Sequence, residues 1–230
     1  MTPRFSIILP LHNEAHRVAP LAHAYRQALD SLDQPWELLF VDNGSRDNAY
    51  ALAAELALED PRLRAYQVPQ AGWGRAVKLG LQQARGSLIC YTNSARTDLN
   101  DLLLALRYAL VHPEVVVKAN RIVRDSWLRR LGSSLYNFEY RLLFQVPTWD
   151  VNGTPKVLPR RVLQQLPTCQ SLSDGDLLDA QLMARCFHAR VRILEMPVLH
   201  NARYGGTSTT GLGSAWNLYT GLLALRWRGY

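Results

Sequence analysis

Hydrophobic and polar positions alternate in a regular rhythm over the first 120 residues. Short apolar runs at 5–9, 37–41, 63–68, 87–91 and 115–119 each end abruptly in polar or turn-forming residues. Runs of that length predict strands. The segments between them carry apolar residues at helical spacing and predict helices over 15–32, 47–59, 74–84 and 98–111. Asp60-Pro61, Arg85-Gly86 and His112-Pro113 supply stop signals, and Pro20 predicts an irregular first turn in the first helix. Strand–helix alternation of this kind predicts an α/β fold, a mainly parallel sheet with helices on both faces in a single domain.

The second half, 121–230, is less regular. An amphipathic segment at 126–144 places Trp127, Leu131, Leu135, Phe138 and Leu142 on one stripe. That stripe reads equally as a core-facing helix or as an interfacial helix at anionic lipid, because Arg124, Arg129 and Arg130 are interleaved with it. A turn-rich stretch at 147–159 follows, then a helix over 174–187, a strand over 191–195 and a final helical pattern over 216–227. There is no internal repeat and no low-complexity linker.

Charge narrows the choice of partner. The chain has 230 residues, a net charge of +7 and 48% hydrophobic content, which makes it globular and suits an anionic partner such as a nucleoside diphosphate or a phospholipid surface. Nucleic acid is disfavoured, since aromatic residues are not interleaved with Lys and Arg at the spacing of a known module. Cys90, Cys169 and Cys186 lack C-x-x-C spacing and read as reduced, mostly buried thiols. His12, His23, His188 and His200 show no metal-ligand spacing and read as incidental. The N-terminus carries no secretory pattern, and the uncharged stretch 204–225 begins with Gly, Ser and Thr, too polar for a membrane span. A cytoplasmic protein is expected, peripheral on the inner face of a membrane if lipid is involved.

The first two strands end in Pro10-Leu-His-Asn-Glu14 and Asp42-Asn-Gly-Ser45 with Asp47. Ligands of open α/β sheets bind outside the carboxyl ends of the strands. A lone Asp-Asn-Gly-Ser is usually a turn that caps the next helix. Together, however, the two segments resemble the P-x-x-N-E and D-[DN]-G-S-x-D signatures of family 2 glycosyltransferases of the GT-A fold. The resemblance implies that Pro10, Glu14, Asp42 and Asn43 line a nucleoside pocket. A carboxylate suits that task because it accepts hydrogen bonds from base N–H groups and ribose hydroxyls. Gln70-Ala-Gly-Trp-Gly-Arg-Ala76 with Gly80 resembles the family's N-x-G-x-G-x-A-x-x-x-G, with Gln70 for Asn. It implies close packing at Gly72 and Gly74 and backbone amides facing the donor. Arg75 and Lys78 read as solvated.

The main departure follows the fourth strand. The family's D-x-D, whose carboxylates hold Mg²⁺ or Mn²⁺ against the donor diphosphate, is replaced by Asn93-Ser94-Ala95. Hard divalent cations prefer carboxylate oxygens. Arg96 is then the expected counter-charge for a leaving diphosphate, and Asp98 a helix cap. Three readings stay open: a metal-independent transferase, a transferase with relocated ligands, or an inactive sugar-nucleotide-binding scaffold.

Trp149-Asp-Val-Asn-Gly-Thr-Pro-Lys156 resembles the D-x-x-x-x-[PF]-[KR] region of the polyprenyl-phosphate transferases, the dolichol-phosphate mannose (or glucose) synthase group. It implies roles for Asp150 and Lys156 in the acceptor half, with Arg121 at the preceding strand end on phosphate. Asp174-Gly-Asp-Leu-Leu-Asp179 reads partly as acidic residues favoured at a helix start. Asp179 or Asp176 is the general-base candidate should the acceptor be a hydroxyl. Arg203-Tyr-Gly-Gly-Thr-Ser208 resembles the family's R-x-x-G-x-S-K lid, which implies that Arg203 and Ser208 close on the donor. The function so implied is inverting transfer from a UDP- or GDP-sugar to a polyprenyl phosphate, with a divalent metal undecided. A soluble or polysaccharide hydroxyl acceptor is the alternative.

Overall fold

A computed structural model describes residues 2–122, 127–166, 171–199 and 212–227, with the side chains of 128, 129 and 212–216 outside the description. The elements run β1 (Phe5–Leu11), α1 (Ala15–Asp30), β2 (Trp36–Asn43), α2 (Ala49–Glu59), β3 (Leu63–Val68), α3 (Trp73–Gln83), β4 (Leu88–Tyr91), α4 (Leu99–Val111), β5 (Val116–Arg121), α5 (Trp127–Phe144), β6 (Lys156–Pro159), α6 (Arg160–Gln165), α7 (Leu178–His188), β7 (Ile193–Val198) and α8 (Leu212–Trp227). Among the described residues seven strands form one sheet in the order β3-β2-β1-β4-β6-β5-β7. All pairings are parallel except those of β6, which runs antiparallel to both β4 and β5.

The first-half expectations hold in kind, and the structure moves their edges. β1 extends to Leu11 and so takes Pro10 into the ladder opposite Val41. Pro20 lies within α1, and the helix continues past it. Asp42 and Asn43 belong to β2, and Arg121 to β5. Inside the turn-rich 147–159 stretch, the four-residue β6 was not foreseen. It is too short to show a period, and its place depends on antiparallel pairing with Leu88–Tyr91, far earlier in the chain. The helix expected over 174–187 begins only at Leu178. Asp174 therefore lies in the preceding turn, where it bonds to other elements.

Each face of the sheet carries its own core. On one, Val18, Ala22, Tyr25 and Leu29 of α1 pack with Leu102, Ala105 and Leu106 of α4 over Phe5, Ile7 and Leu9. On the other, Val77 and Leu81 of α3, Tyr140 of α5 and Leu182 of α7 pack over Ile8, Leu39 and Tyr91. The strand order reverses between β1 and β4, since β2 and β3 lie to one side of β1 and β4 to the other. Such a switch point opens a crevice at the carboxyl ends of the strands. Because β6 is antiparallel, its amino end, Lys156, reaches the same edge, opposite Tyr91.

α3 approaches the segment before α7 so closely that a side chain on Gly74 would collide with the Ser173 carbonyl, and one on Gly72 would come within 2.6 Å of the Asp174 carbonyl. We expect Gly74→Ala to destabilise by about 1–3 kcal/mol through overpacking. The check is thermal unfolding, where each kcal/mol lowers Tm by roughly 2–4 °C in a domain of this size.

Candidate active site

The loops after β1 and β2 are zipped together by their own side chains. Asn13, at φ 53°, accepts from Arg46 N through Oδ1 at 2.8 Å, while its own N–H donates to Ser45 Oγ at 2.9 Å. Asp47 Oδ2 accepts from Ala15 N at 2.9 Å and so serves the start of α1 across the gap. His12, expected to be incidental, pairs its Nδ1 with Asn43 O at 2.9 Å. Gly44 adopts φ +67°, a left-handed conformation that glycine tolerates. The resulting turn and the segment after β3 line a cavity of about 560 Å³, with His12, Asn13, Ser45, Arg46, Gln67 and Ala71 on its wall.

Asp42 lies buried beside this cavity. Its Oδ2 accepts from Gln67 Nε2 at 3.1 Å and Ser45 N at 3.3 Å, both from cavity-lining residues, while Oδ1 is buried with no partner among the described residues. An orphaned buried carboxylate oxygen is rare in a folded chain and calls for an explanation, such as a ligand donor. Asn43 faces elsewhere: its Oδ1 accepts from Gly72 N at 2.8 Å. The Gly-rich turn thus directs one amide to Asn43, and Arg75 N donates to Asp174 O at 3.0 Å. These two amides are engaged within the protein. Arg75 and Lys78 are not merely solvated either, since both bind the Asp174 carboxylate.

At the β1/β4 switch point, Glu14 and Ser94 meet. Ser94 Oγ donates to Glu14 Oε2 at 2.6 Å, and Arg17 bridges Glu14 Oε1 at 3.2 Å and Ser94 O at 2.9 Å. Sequence reading did not single out Arg17. The only available signal was a cation three residues after Glu14. Asn93 turns its Oδ1 back onto Ala95 N at 2.9 Å, and Asp98 caps α4 through Asn100 N as expected. Arg96 follows in the same turn.

Two ion pairs of low exposure anchor the far side of the crevice. Arg121 donates to Asp150 Oδ2 through Nε at 2.7 Å and to Oδ1 through Nη2 at 2.8 Å, a two-pronged contact. Burial works against the guanidinium's charge, but Asp150 outweighs it and leaves the Arg121 pKa above its usual value. Asp179 Oδ1 accepts from Lys156 Nζ at 2.6 Å and Tyr91 Oη at 2.7 Å, and Oδ2 from Trp73 Nε1 at 3.1 Å. Lys156 is fully buried, and that burial pulls its ammonium down to about 8 despite the pull of Asp179. Asp150 and Asp179 are therefore anchors for cations, not free carboxylates. Loss of water around Asp176, then the Asp179 charge, raises its pKa. Arg203 and Ser208 lie outside the described residues, as do Cys169 and His200.

Residues 6–166 match the sequence model of glycosyl transferase family 2. The chain belongs to that family. Among curated relatives of this family 2 chain, the undecaprenyl-phosphate 4-deoxy-4-formamido-L-arabinose transferase of Pectobacterium atrosepticum is 27% identical over 224 residues, covering 95% of this chain and 66% of the relative. The enzyme of the same name from Aeromonas hydrophila is 24% identical, covering 93% of this chain and 64% of the relative. A dolichyl-phosphate beta-glucosyltransferase of Trichomonas vaginalis is 31% identical over 90 residues, covering 36% of this chain and 27% of the relative. The chain spans about two thirds of the length of the first two. In structure, it is similar to glucosyl-3-phosphoglycerate synthase of Mycobacterium tuberculosis, crystallised with Mn²⁺, UDP and glucosyl-3-phosphoglycerate, at a TM-score of 0.72 and 17% identity, covering 97% of this chain and 80% of that one. The shared fold is GT-A.

The residues of this family 2 chain do not fit a divalent metal where the D-x-D would stand. Ala95 offers no ligand atom, Asn93 Oδ1 is spent on Ala95 N, and Ser94 Oγ on Glu14. Among the described residues no cluster of three His, Cys, Asp or Glu side chains could hold a metal ion.

Proposed function

We propose that this chain transfers a sugar, with inversion, from a nucleoside diphosphate sugar to a polyprenyl phosphate, without a divalent metal in the donor site. The single observation that carries the donor half is the partnerless Asp42 Oδ1 beside the 560 Å³ cavity. A base N–H, of uracil or guanine, supplies the missing donor. Glu14 and Pro10 border the same edge, at the end of β1. The relatives' names support the acceptor: two are undecaprenyl-phosphate transferases and one a dolichyl-phosphate transferase. The M. tuberculosis structure, with UDP bound, favours UDP as the first donor to try.

A polyprenyl phosphate brings an oxygen that is already anionic. It attacks the anomeric carbon from the side opposite the leaving diphosphate, so no side chain has to remove a proton. What the site must supply is positioning and positive charge. Arg121, fixed by Asp150, is the proposed acceptor-phosphate contact. Arg96 and Arg203 with Ser208 are proposed on the donor diphosphate. Asp179 is proposed to position Lys156, and through Trp73 and Tyr91 it also ties the Gly-rich turn and the end of β4 to the acceptor half. The lipid acceptor places the reaction at a membrane surface, with the chain peripheral on the cytoplasmic side.

The test is transfer by the purified chain from labelled UDP-sugars and GDP-sugars to a short, water-soluble prenyl phosphate in EDTA. Product formation is expected, and Arg121→Ala is expected to lower kcat/KM by roughly tenfold or more, as loss of a charge-assisted hydrogen bond of about 1.5–3 kcal/mol would. Turnover only of a hydroxyl acceptor would replace the lipid reading and make Asp176 the base.

A further inference from the structure

α5 (Trp127–Phe144) is mounted with its apolar stripe outward. Trp127, Leu131, Leu135, Phe138 and Leu142 are 71, 50, 52, 60 and 70% exposed. At 3.6 residues per turn these five positions fall within about 80° of one another around the helix axis. The opposite side carries Tyr136, Asn137, Tyr140 and Phe144, all buried. That inner side is held by specific bonds: Tyr140 Oη donates to Ala180 O at 2.9 Å, and Asn137 Oδ1 accepts from Val151 N at 2.9 Å. The outward orientation is thus fixed by the fold, and a helix cannot turn its stripe inward without breaking these contacts. A run of five large apolar side chains on one exposed face marks an interaction surface.

We propose that this face of α5 lies on an anionic lipid surface and carries the active-site edge down to it. The proposal rests on the lipid-acceptor reading above and adds the face through which the chain meets its acceptor's membrane. Charge selects the occupant. Arg130 and Arg141 fall on the same flank of the stripe by helical spacing, with Ser134 between them. In sequence the helix holds Arg129, Arg130 and Arg141 against a single acid, Glu139. A second copy placed face to face would set these arginines near their own counterparts, whereas anionic headgroups neutralise them. Basic residues beside a membrane are attracted to anionic lipid, and the apolar side chains enter the headgroup boundary.

Connectivity places this face beside the acceptor half. α5 follows closely on β5, whose last residue is Arg121, and it leads into the loop bearing Trp149 and Asp150. Trp149 is 67% exposed, and the Arg141 guanidinium stacks over its ring at 4.7 Å from the centroid, which extends the apolar and basic face toward the proposed phosphate contact. A polyprenyl phosphate whose tail stays in the bilayer then presents its headgroup to Arg121.

The experiment is co-sedimentation of the full chain with vesicles of phosphatidylcholine alone and of phosphatidylcholine with 30% phosphatidylglycerol, comparing wild type with Leu135→Glu/Phe138→Glu and with Arg130→Gln/Arg141→Gln. Binding to the anionic vesicles only is expected, reduced tenfold or more by either double variant. Both variants should keep the far-UV circular dichroism, the UDP affinity and the turnover of a water-soluble prenyl phosphate of the wild type. Absence of vesicle binding by the wild type overturns the proposal, as does binding that Leu135→Glu/Phe138→Glu leaves unchanged. A dimer in analytical ultracentrifugation that Leu135→Glu/Phe138→Glu dissolves, without vesicle binding, overturns it in favour of a second copy. Vesicle binding together with no turnover of any prenyl phosphate would leave this face standing and remove the transferase reading instead.

Discussion

Asp179→Ala is expected to lower the melting temperature by about 6–20 °C. The carboxylate accepts from Lys156, Tyr91 and Trp73, and the Lys156 ammonium has no exposure to water. Removing one partner of a buried pair leaves an uncompensated charge, which costs about 3–5 kcal/mol. At roughly 2–4 °C per kcal/mol for a domain of this size, that gives the stated drop. Scanning calorimetry at pH 7 measures it. The double variant Asp179→Ala/Lys156→Met removes the stranded charge and is expected to recover at least half the loss. If Asp179→Ala alone melts within 2 °C of wild type, the pair is not the buried anchor described here.

The pH dependence of this pair follows from the same burial. In the folded chain Lys156 titrates near 8, below its ordinary value of 10.5. Between those values the unfolded chain holds a proton that the folded chain has released, so this group makes stability rise with pH across that window. The contribution is expected to vanish in Lys156→Met.

Asp42→Ala is expected to reduce affinity for UDP, or for GDP if that is the donor base, by tenfold to a hundredfold while leaving the fold intact. Among the described residues Oδ1 has no partner to lose, and Oδ2 gives up Gln67 Nε2, whose residue lines the cavity and regains water, and the longer contact from Ser45 N. The loss of a hydrogen bond to a charged acceptor is worth about 1.5–3 kcal/mol, which sets the range. Asp42→Asn keeps an acceptor without the charge and should fall between the two. Calorimetric titration reads both, and equal affinity in all three chains would place the base elsewhere.

How far the sequence discloses these features depends on the distance over which each is specified. The strands β1 to β5 and helices α1 to α4 are written in local periodicity, and the motifs at Glu14 and Asp42 mark where the sheet presents its ends. β6 is not legible, because four residues carry no period and their partners lie in β4 and β5. The same limit applies to the site. Asp150 and Asp179 are visible as acidic residues in suggestive positions, but that each is held in an ion pair depends on Arg121 and Lys156, brought in by other strands. Arg17 shows its place only when β4 sets Ser94 against β1. The stripe on α5 is plain in the sequence, but its direction is not, since an amphipathic period fixes which residues share a face and not which side the fold covers. Tyr136 and Tyr140 decide that by packing inward.

The most direct measurement of the central claim, a nucleotide-sugar site without a metal, is calorimetric titration of the purified chain with UDP and GDP in EDTA, repeated with Mn²⁺. The Asn93-Ser94-Ala95 turn offers no metal ligand set, so one nucleotide should bind in EDTA with an affinity that Mn²⁺ changes by less than threefold. Binding that requires Mn²⁺, or no binding of either nucleotide, would contradict the account.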